Sequence, residues 1–115
     1  MQLGASAEEV AVTALIAAGY RIIERNFTCA AGELDIVARD RGVLVFVEVR
    51  SRASDAHGSA AEMVTPAKQR RVTRVARVYL AARDPAFTEC RFDVVAITGG
   101  HVDIIPDAWR VSGPA

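Results

Sequence analysis

The chain has no net charge to spend on a partner: fourteen lysines and arginines balance fourteen aspartates and glutamates. Bulk electrostatics therefore selects no partner, and any basic surface has to be local. Cysteine is scarce. Cys29 and Cys90 stand far apart, with no C-x-x-C and no Cys/His cluster. That pattern argues against a disulfide framework and a structural zinc site, and a reduced, cytoplasmic chain is expected. The N-terminus lacks a basic segment followed by an apolar core, so it does not read as a signal peptide. The longest mildly apolar run, Val10 to Tyr20, is too short to span a bilayer, so no membrane partner is expected. Internal repeats and low-complexity tracts are missing too.

What is present is a 115-residue chain, 51% apolar and 24% charged, read as one globular domain with an ordinary core. It is organised around two apolar, β-branched arms, Gly32 to Arg39 and Val43 to Arg50. Asp40-Arg41-Gly42 between them is turn material, so the stretch reads as a β-hairpin. Asp35 falls inside the first arm. Glu48 and Arg50 close the second, two residues apart and so on one face. A carboxylate inside an apolar strand costs several kcal/mol unless a partner or metal satisfies it. Converging carboxylates beside a cation suit a hard metal ion. The alternative is that Glu48 and Arg50 mark the strand's exit into water while Asp35 pairs with an arginine.

Register separates these readings, because a one-residue slip reverses every side chain. A three-residue turn closed by Arg39 and Val43 would set Asp35 opposite Val47. A shared site needs Asp35 opposite Glu48, so a bulge or slip is expected near the turn, with Gly42 at positive φ.

Before the hairpin, Ser6 and Glu9 form a capping box for a helix from Ala7 to Ala18 that Gly19 ends. Its apolar stripe, Val12, Leu15 and Ile16, extends back onto Glu8, an acid with no capping job. Tyr20 to Phe27 reads as a strand. After the hairpin, residues 51–64 form a long irregular loop that holds His57, a candidate ligand. Thr65 caps a second helix with Pro66 in its first turn, running to Arg83. Val72, Val75, Ala76, Tyr79 and Leu80 make its apolar stripe. Its remaining surface carries Lys68, Arg70, Arg71, Arg74, Arg77 and Arg83 and no acid, and with Gln69 it suits phosphate contacts. Arg91 to Thr98 and His101 to Ile105 are further strands around a Gly99-Gly100 turn, with Pro106 and Trp109 in a short tail. Asp93 is expected to pair with an arginine of the second helix.

The order is helix, three strands, helix, two strands, which predicts an α/β/α sandwich around a mixed sheet of about five strands. Glu8, Asp35 and Glu48-Val49-Arg50 in this order resemble the PD-(D/E)XK nuclease superfamily, with its restriction-endonuclease-like fold. Archaeal Holliday-junction resolvases are similar in order and spacing. The whole chain resembles the YraN-like family of uncharacterised small bacterial proteins. The stretches that say so are Gly4 to Glu8, Ala18 to Ile22, Gly32 to Asp35, Val45 to Arg50, Val64 to Gln69 and Arg91 to Val95. The superfamily resemblance implies Asp35 and Glu48 as ligands of Mg²⁺ or Mn²⁺, Glu8 as a supporting acid and Arg50 as the phosphate positioner. Lys68, Gln69, Arg70, Arg71 and Arg74 would grip DNA. The superfamily's proline before the aspartate is Leu34 here, and its lysine is Arg50. Arginine stays protonated, so it clamps phosphate but cannot act as a base. The expected function is metal-dependent endonuclease action on DNA, including branched DNA. The alternatives are a non-catalytic nucleic-acid-binding module and an interaction protein with no nucleic-acid role. A homodimer is left open.

Overall fold

In a computed structural model, which describes residues 6–52 and 64–111, the central hairpin is built from β2 (Gly32–Asp40) and β3 (Val43–Arg52). Its turn has two residues, not three. Arg41 at φ 53° and Gly42 at φ 86° both sit in the left-handed region, whose twist matches that of the flanking strands. Asp40 therefore belongs to β2 and pairs with Val43, and the ladder runs regularly back to Ile36↔Val47. The same register carried one step further sets Asp35 against Glu48. Gly42 has the expected positive φ, but the shorter turn does the work assigned to a bulge or slip.

The remaining elements are α1 (Ala7–Ala17), β1 (Arg21–Cys29), α2 (Pro66–Arg83), β4 (Cys90–Thr98) and β5 (His101–Trp109). They form one five-stranded sheet in the order β1-β2-β3-β4-β5. Only β3 and β4 run parallel, because α2 joins them as a crossover. The helices cover opposite faces. Ala11 and Leu15 of α1 pack on Ile36, Ala38, Val45, Val47 and Val95. Val72, Val75, Ala76 and Tyr79 of α2 pack on Leu34, Val37, Leu44, Phe46 and Phe92. This is the expected α/β/α sandwich, consistent with a restriction-endonuclease-like fold.

Local chemistry explains the helix ends. Ser6 Oγ accepts from the Glu9 amide at 3.1 Å and Glu9 returns a carboxylate to the Ser6 amide at 3.0 Å. Thr65 caps α2 through the Lys68 amide, and Asp84 ends it in a left-handed conformation. The buried stripe of α1 differs from expectation. Ala11 and Leu15 are fully buried, whereas Ile16 is 57% exposed. Small Ala11 lets the helix sit close to the sheet, and the inward stripe becomes Glu8–Ala11–Leu15 at i, i+3, i+7. Gly32, at φ 141°, has α2 directly above it: a Cβ there would meet Val75 Cγ2 at 3.3 Å.

Three further expectations shift. Ser51 and Arg52 belong to β3, and the rest of the expected loop up to residue 63, His57 included, lies outside the described residues. β5 continues past Pro106 to Trp109, so Trp109 is a strand residue. Proline is tolerated there because β5 is an edge strand, and the ladder with β4 shifts where Asp107 takes φ 54°. Asp93 does not reach α2. Phe92 faces α2, so Asp93 alternates to the α1 side. There it accepts from Tyr20 Oη (2.6 Å), both ends of the Arg91 fork (2.8 Å each) and the Asp107 amide (3.0 Å). Arg91 also holds Asp40 at 2.9 Å. Burial first, and then the bond to Asp93, push the Tyr20 hydroxyl's pKa up.

This network ties β2, β4, β5 and the α1–β1 connection together around one fully buried carboxylate. Asp93→Ala leaves Tyr20 Oη and Arg91 without their central partner and should cost about 3–5 kcal/mol. Asp93→Asn keeps one acceptor and should cost less. Urea denaturation of the three proteins checks the order.

Candidate active site

β3 alternates strictly: Leu44 and Phe46 face α2, Val45 and Val47 face α1. The next α2-facing position is Glu48. It does not exit into water: it is 1% exposed. Arg50, two residues on, shares its face and places Nη2 3.1 Å from Glu48 Oε1. Lys68, in the first turn of α2, brings Nζ to 3.7 Å from the same oxygen. Both cations serve Oε1. Oε2 is buried and has no hydrogen-bond partner among the described residues, a costly arrangement for a carboxylate oxygen.

The hairpin register brings Asp35 to this spot, at the point where the alternation of β2 breaks. Leu34 and Ile36 are two apart, yet Leu34 packs under α2 and Ile36 under α1. A regular strand would put both on one face. On the β1 side, pairs Arg25↔Ile36 and Phe27↔Leu34 flank Asn26 and Asp35, and Asn26 takes φ 57°. On the β3 side, Asp35 Oδ2 accepts from the Val49 amide at 2.8 Å, beyond the last regular pair of the ladder. Asp35 thus pairs with a backbone N–H and not with an arginine.

The two acids feel each other. Burial, followed by the Asp35 carboxylate, raises the Glu48 pKa to about 7, against the pull of Arg50 and Lys68. A buried carboxylate with an unshared oxygen beside a second acid has the oxygen donors that hard cations prefer. Among the described residues no three His, Cys, Asp or Glu side chains converge, so the acidic centre is a pair.

The other expected site residues divide. Glu8 accepts from Arg25 Nε at 2.6 Å and from Asn26 Nδ2 at 3.1 Å. Asn26, opposite Asp35 in the sheet, stands between Glu8 and the acidic pair. The helical rotation of 100° per residue splits Lys68 to Arg74 into separate faces. Lys68 turns to Glu48, Arg71 lies over Gly32, and Gln69 donates to the Val64 carbonyl at 3.1 Å. Arg70 and Arg74 line a groove on another side, with Trp109 and Arg110 across from them. The Lys68–Glu48 contact was missed in the sequence. Its only signal was the Thr65-Pro66 start, which sets where the first turn of α2 lies.

The sequence profile described as "Uncharacterised protein family UPF0102" matches residues 7–97, a span that includes the hairpin, Lys68 and Asp93. A UPF0102 protein of Chlorobaculum parvum is 48% identical over 101 residues, covering 88% of this chain and 78% of the relative. One of Symbiobacterium thermophilum is 48% identical over 99 residues (86% and 84%). One of Methylibium petroleiphilum is 48% identical over 117 residues (96% and 95%).

The raised Glu48 pKa has a sign that can be measured. The folded state holds the proton more tightly than the unfolded chain, whose value is near 4.5. Stability from this group is complete below pH 4.5 and is lost as pH rises through about 7. In chelator, wild type should lose on the order of 3 kcal/mol relative to Glu48→Gln between pH 4.5 and 8. Urea midpoints of both proteins across that range check it.

Proposed function

Because the chain belongs to the uncharacterised protein family UPF0102, whose name carries no chemistry, we propose a function from the site itself: a divalent-metal-dependent endonuclease acting on DNA. The observation that carries this is Glu48 Oε2, buried beside Asp35 with no hydrogen-bond partner among the described residues. These oxygen donors suit a hard cation, and Asp35 and Glu48 would hold Mg²⁺ or Mn²⁺. Such an ion, when bound, lowers the pKa of a water molecule and offsets charge on the phosphate under attack.

The chain's own groups do the rest. Glu48 binds as the carboxylate, so metal and proton compete for it. Asp35 is anchored on the Val49 amide, which fixes one of its oxygens. Arg50 presents a planar fork suited to two phosphate oxygens and stays protonated throughout. Lys68 supplies from α2 the compact ammonium that the Glu48-Val49-Arg50 run lacks. Both cations are oriented before DNA arrives, so charge that builds on the phosphate meets donors already in place. Arg70, Arg71 and Arg74 add backbone contacts that set register but read no bases.

A second reading, a nucleic-acid-binding module with little or no chemistry, is favoured by one observation: the described acids number two, with arginine where the superfamily has lysine.

A plasmid-nicking time course in Mn²⁺ tests both. Wild type should nick slowly and Glu48→Ala not at all. Lys68→Ala should fall by about 10- to 100-fold, equivalent to ~1.4–2.7 kcal/mol of transition-state stabilisation. Arg50→Lys should nick faster than wild type, and Arg50→Ala slower. Nicking that survives Glu48→Ala would sink the assignment. DNA binding without nicking by any of the proteins would leave the second reading in place.

A further inference from the structure

α2 and β5 enclose a groove of about 490 Å³. Arg70, Arg74 and Arg77 line one wall, spaced along one helix face, with Gln69 at the end nearer Lys68. Trp109 and Arg110 line the other. Arg70, Arg74 and Arg77 make no ion pair among the described residues, while Arg110 pairs with Asp107 at 2.7 Å. No acid is among the lining side chains. In a chain of zero net charge, this is a local concentration of unneutralised cation.

Trp109 is held as a platform. Phe92 stacks on one ring face at 4.8 Å and 19°, and the indole N–H donates to Thr73 Oγ1 at 3.3 Å. Thr73 is itself anchored to the Gln69 carbonyl at 2.7 Å. The ring is therefore fixed at both a face and an edge, yet it still lines the groove. A fixed aromatic beside a row of arginines fits a polymer that has both π-faces and regular negative charge.

We propose that this groove binds single-stranded DNA, with an unpaired base stacked against Trp109 and phosphates held by Arg70, Arg74 and Arg77. The proposal rests on the endonuclease reading for the class of polymer and adds the strandedness. A duplex keeps its bases stacked on each other and offers Trp109 none, whereas a single strand can splay one out. From Gln69 to Arg77 the helix spans about 12 Å, the length of a short run of backbone phosphates. Gln69 closes the end of the groove in the first turn of α2, the turn that also carries Lys68.

The chain has one tryptophan, so its fluorescence reports on the surroundings of Trp109 alone. The test titrates the protein in EDTA with oligothymidylate of about 20 nucleotides, with a duplex of equal length, and with polyglutamate. Oligothymidylate should quench Trp109, the duplex should do so weakly, and polyglutamate not at all. Arg74→Ala/Arg77→Ala, both exposed and so safe for folding, should weaken oligothymidylate binding roughly tenfold and flatten the log–log salt dependence by about 1.4, or ~0.7 per phosphate contact. Trp109→Ala, checked for folding by circular dichroism and read by anisotropy of a labelled strand, should weaken it by a similar factor. Equal quenching by duplex or polyglutamate overturns the proposal, as does unchanged affinity in the arginine variant. Mn²⁺-dependent nicking with Trp109 silent to oligothymidylate removes this groove and keeps the endonuclease. Quenching without nicking does the reverse.

Discussion

A two-residue turn decides the chemistry of this protein. Arg41 and Gly42, both left-handed, close β2 onto β3 with Asp40 against Val43. One more residue in the loop would reverse the parity of β2 against β3 and turn Asp35 away from Glu48. The core depends on the same parity. Leu44 and Phe46 reach α2 while Val45 and Val47 reach α1, so the register that assembles the acids is also the one that buries the sandwich's two faces. One register meets both requirements, a packed core and the convergence of the acids.

The site nevertheless departs from what a packed core would choose. Glu48 stands where an apolar residue would continue the α2-facing row, and it is as buried as its neighbours. Its burial and the Asp35 carboxylate raise its pKa, Arg50, Lys68 and the Asp35 backbone N–H lower it, and Oε2 has no hydrogen-bond partner among the described residues. Asp93 is the instructive contrast. It is equally buried, but Tyr20, Arg91 and the Asp107 amide occupy its oxygens. One buried acid is fully partnered and structural, and the other is conspicuously incomplete. That difference distinguishes a structural fastener from a candidate functional group more clearly than burial alone.

Much of this was legible in the residues because it depends on local rules. The capping box at Ser6 and Glu9, the Thr65-Pro66 start of α2 and the alternation that pairs Glu48 with Arg50 are short-range patterns, and each appears where it was expected. What could not be read depends on contacts distant in sequence. Lys68 lies twenty residues after Glu48, and their meeting depends on how α2 crosses the sheet. Asp93 pairs with Arg91 and not with an arginine of α2, because strand parity and not proximity to a basic helix decides its face. Size and hydrophobicity point to Ile16 as buried, whereas the close approach of α1 favours Ala11. Pro106 suggests an end before Trp109, which holds for a central strand but not for an edge.

The two edges of the sheet have a consequence of their own. β5 carries a proline and a left-handed aspartate that shift its ladder. β1 is shifted at Ile22/Glu24 and broken again by left-handed Asn26. Neither edge is a flat row of free amides and carbonyls, so neither is a good template for another strand. The irregularities that position Asn26 beside Asp35, and Asp107 on Asp93, thus also guard against fibrillar stacking. A second copy of the chain would have to approach through the helices or loops and not by extending the sheet.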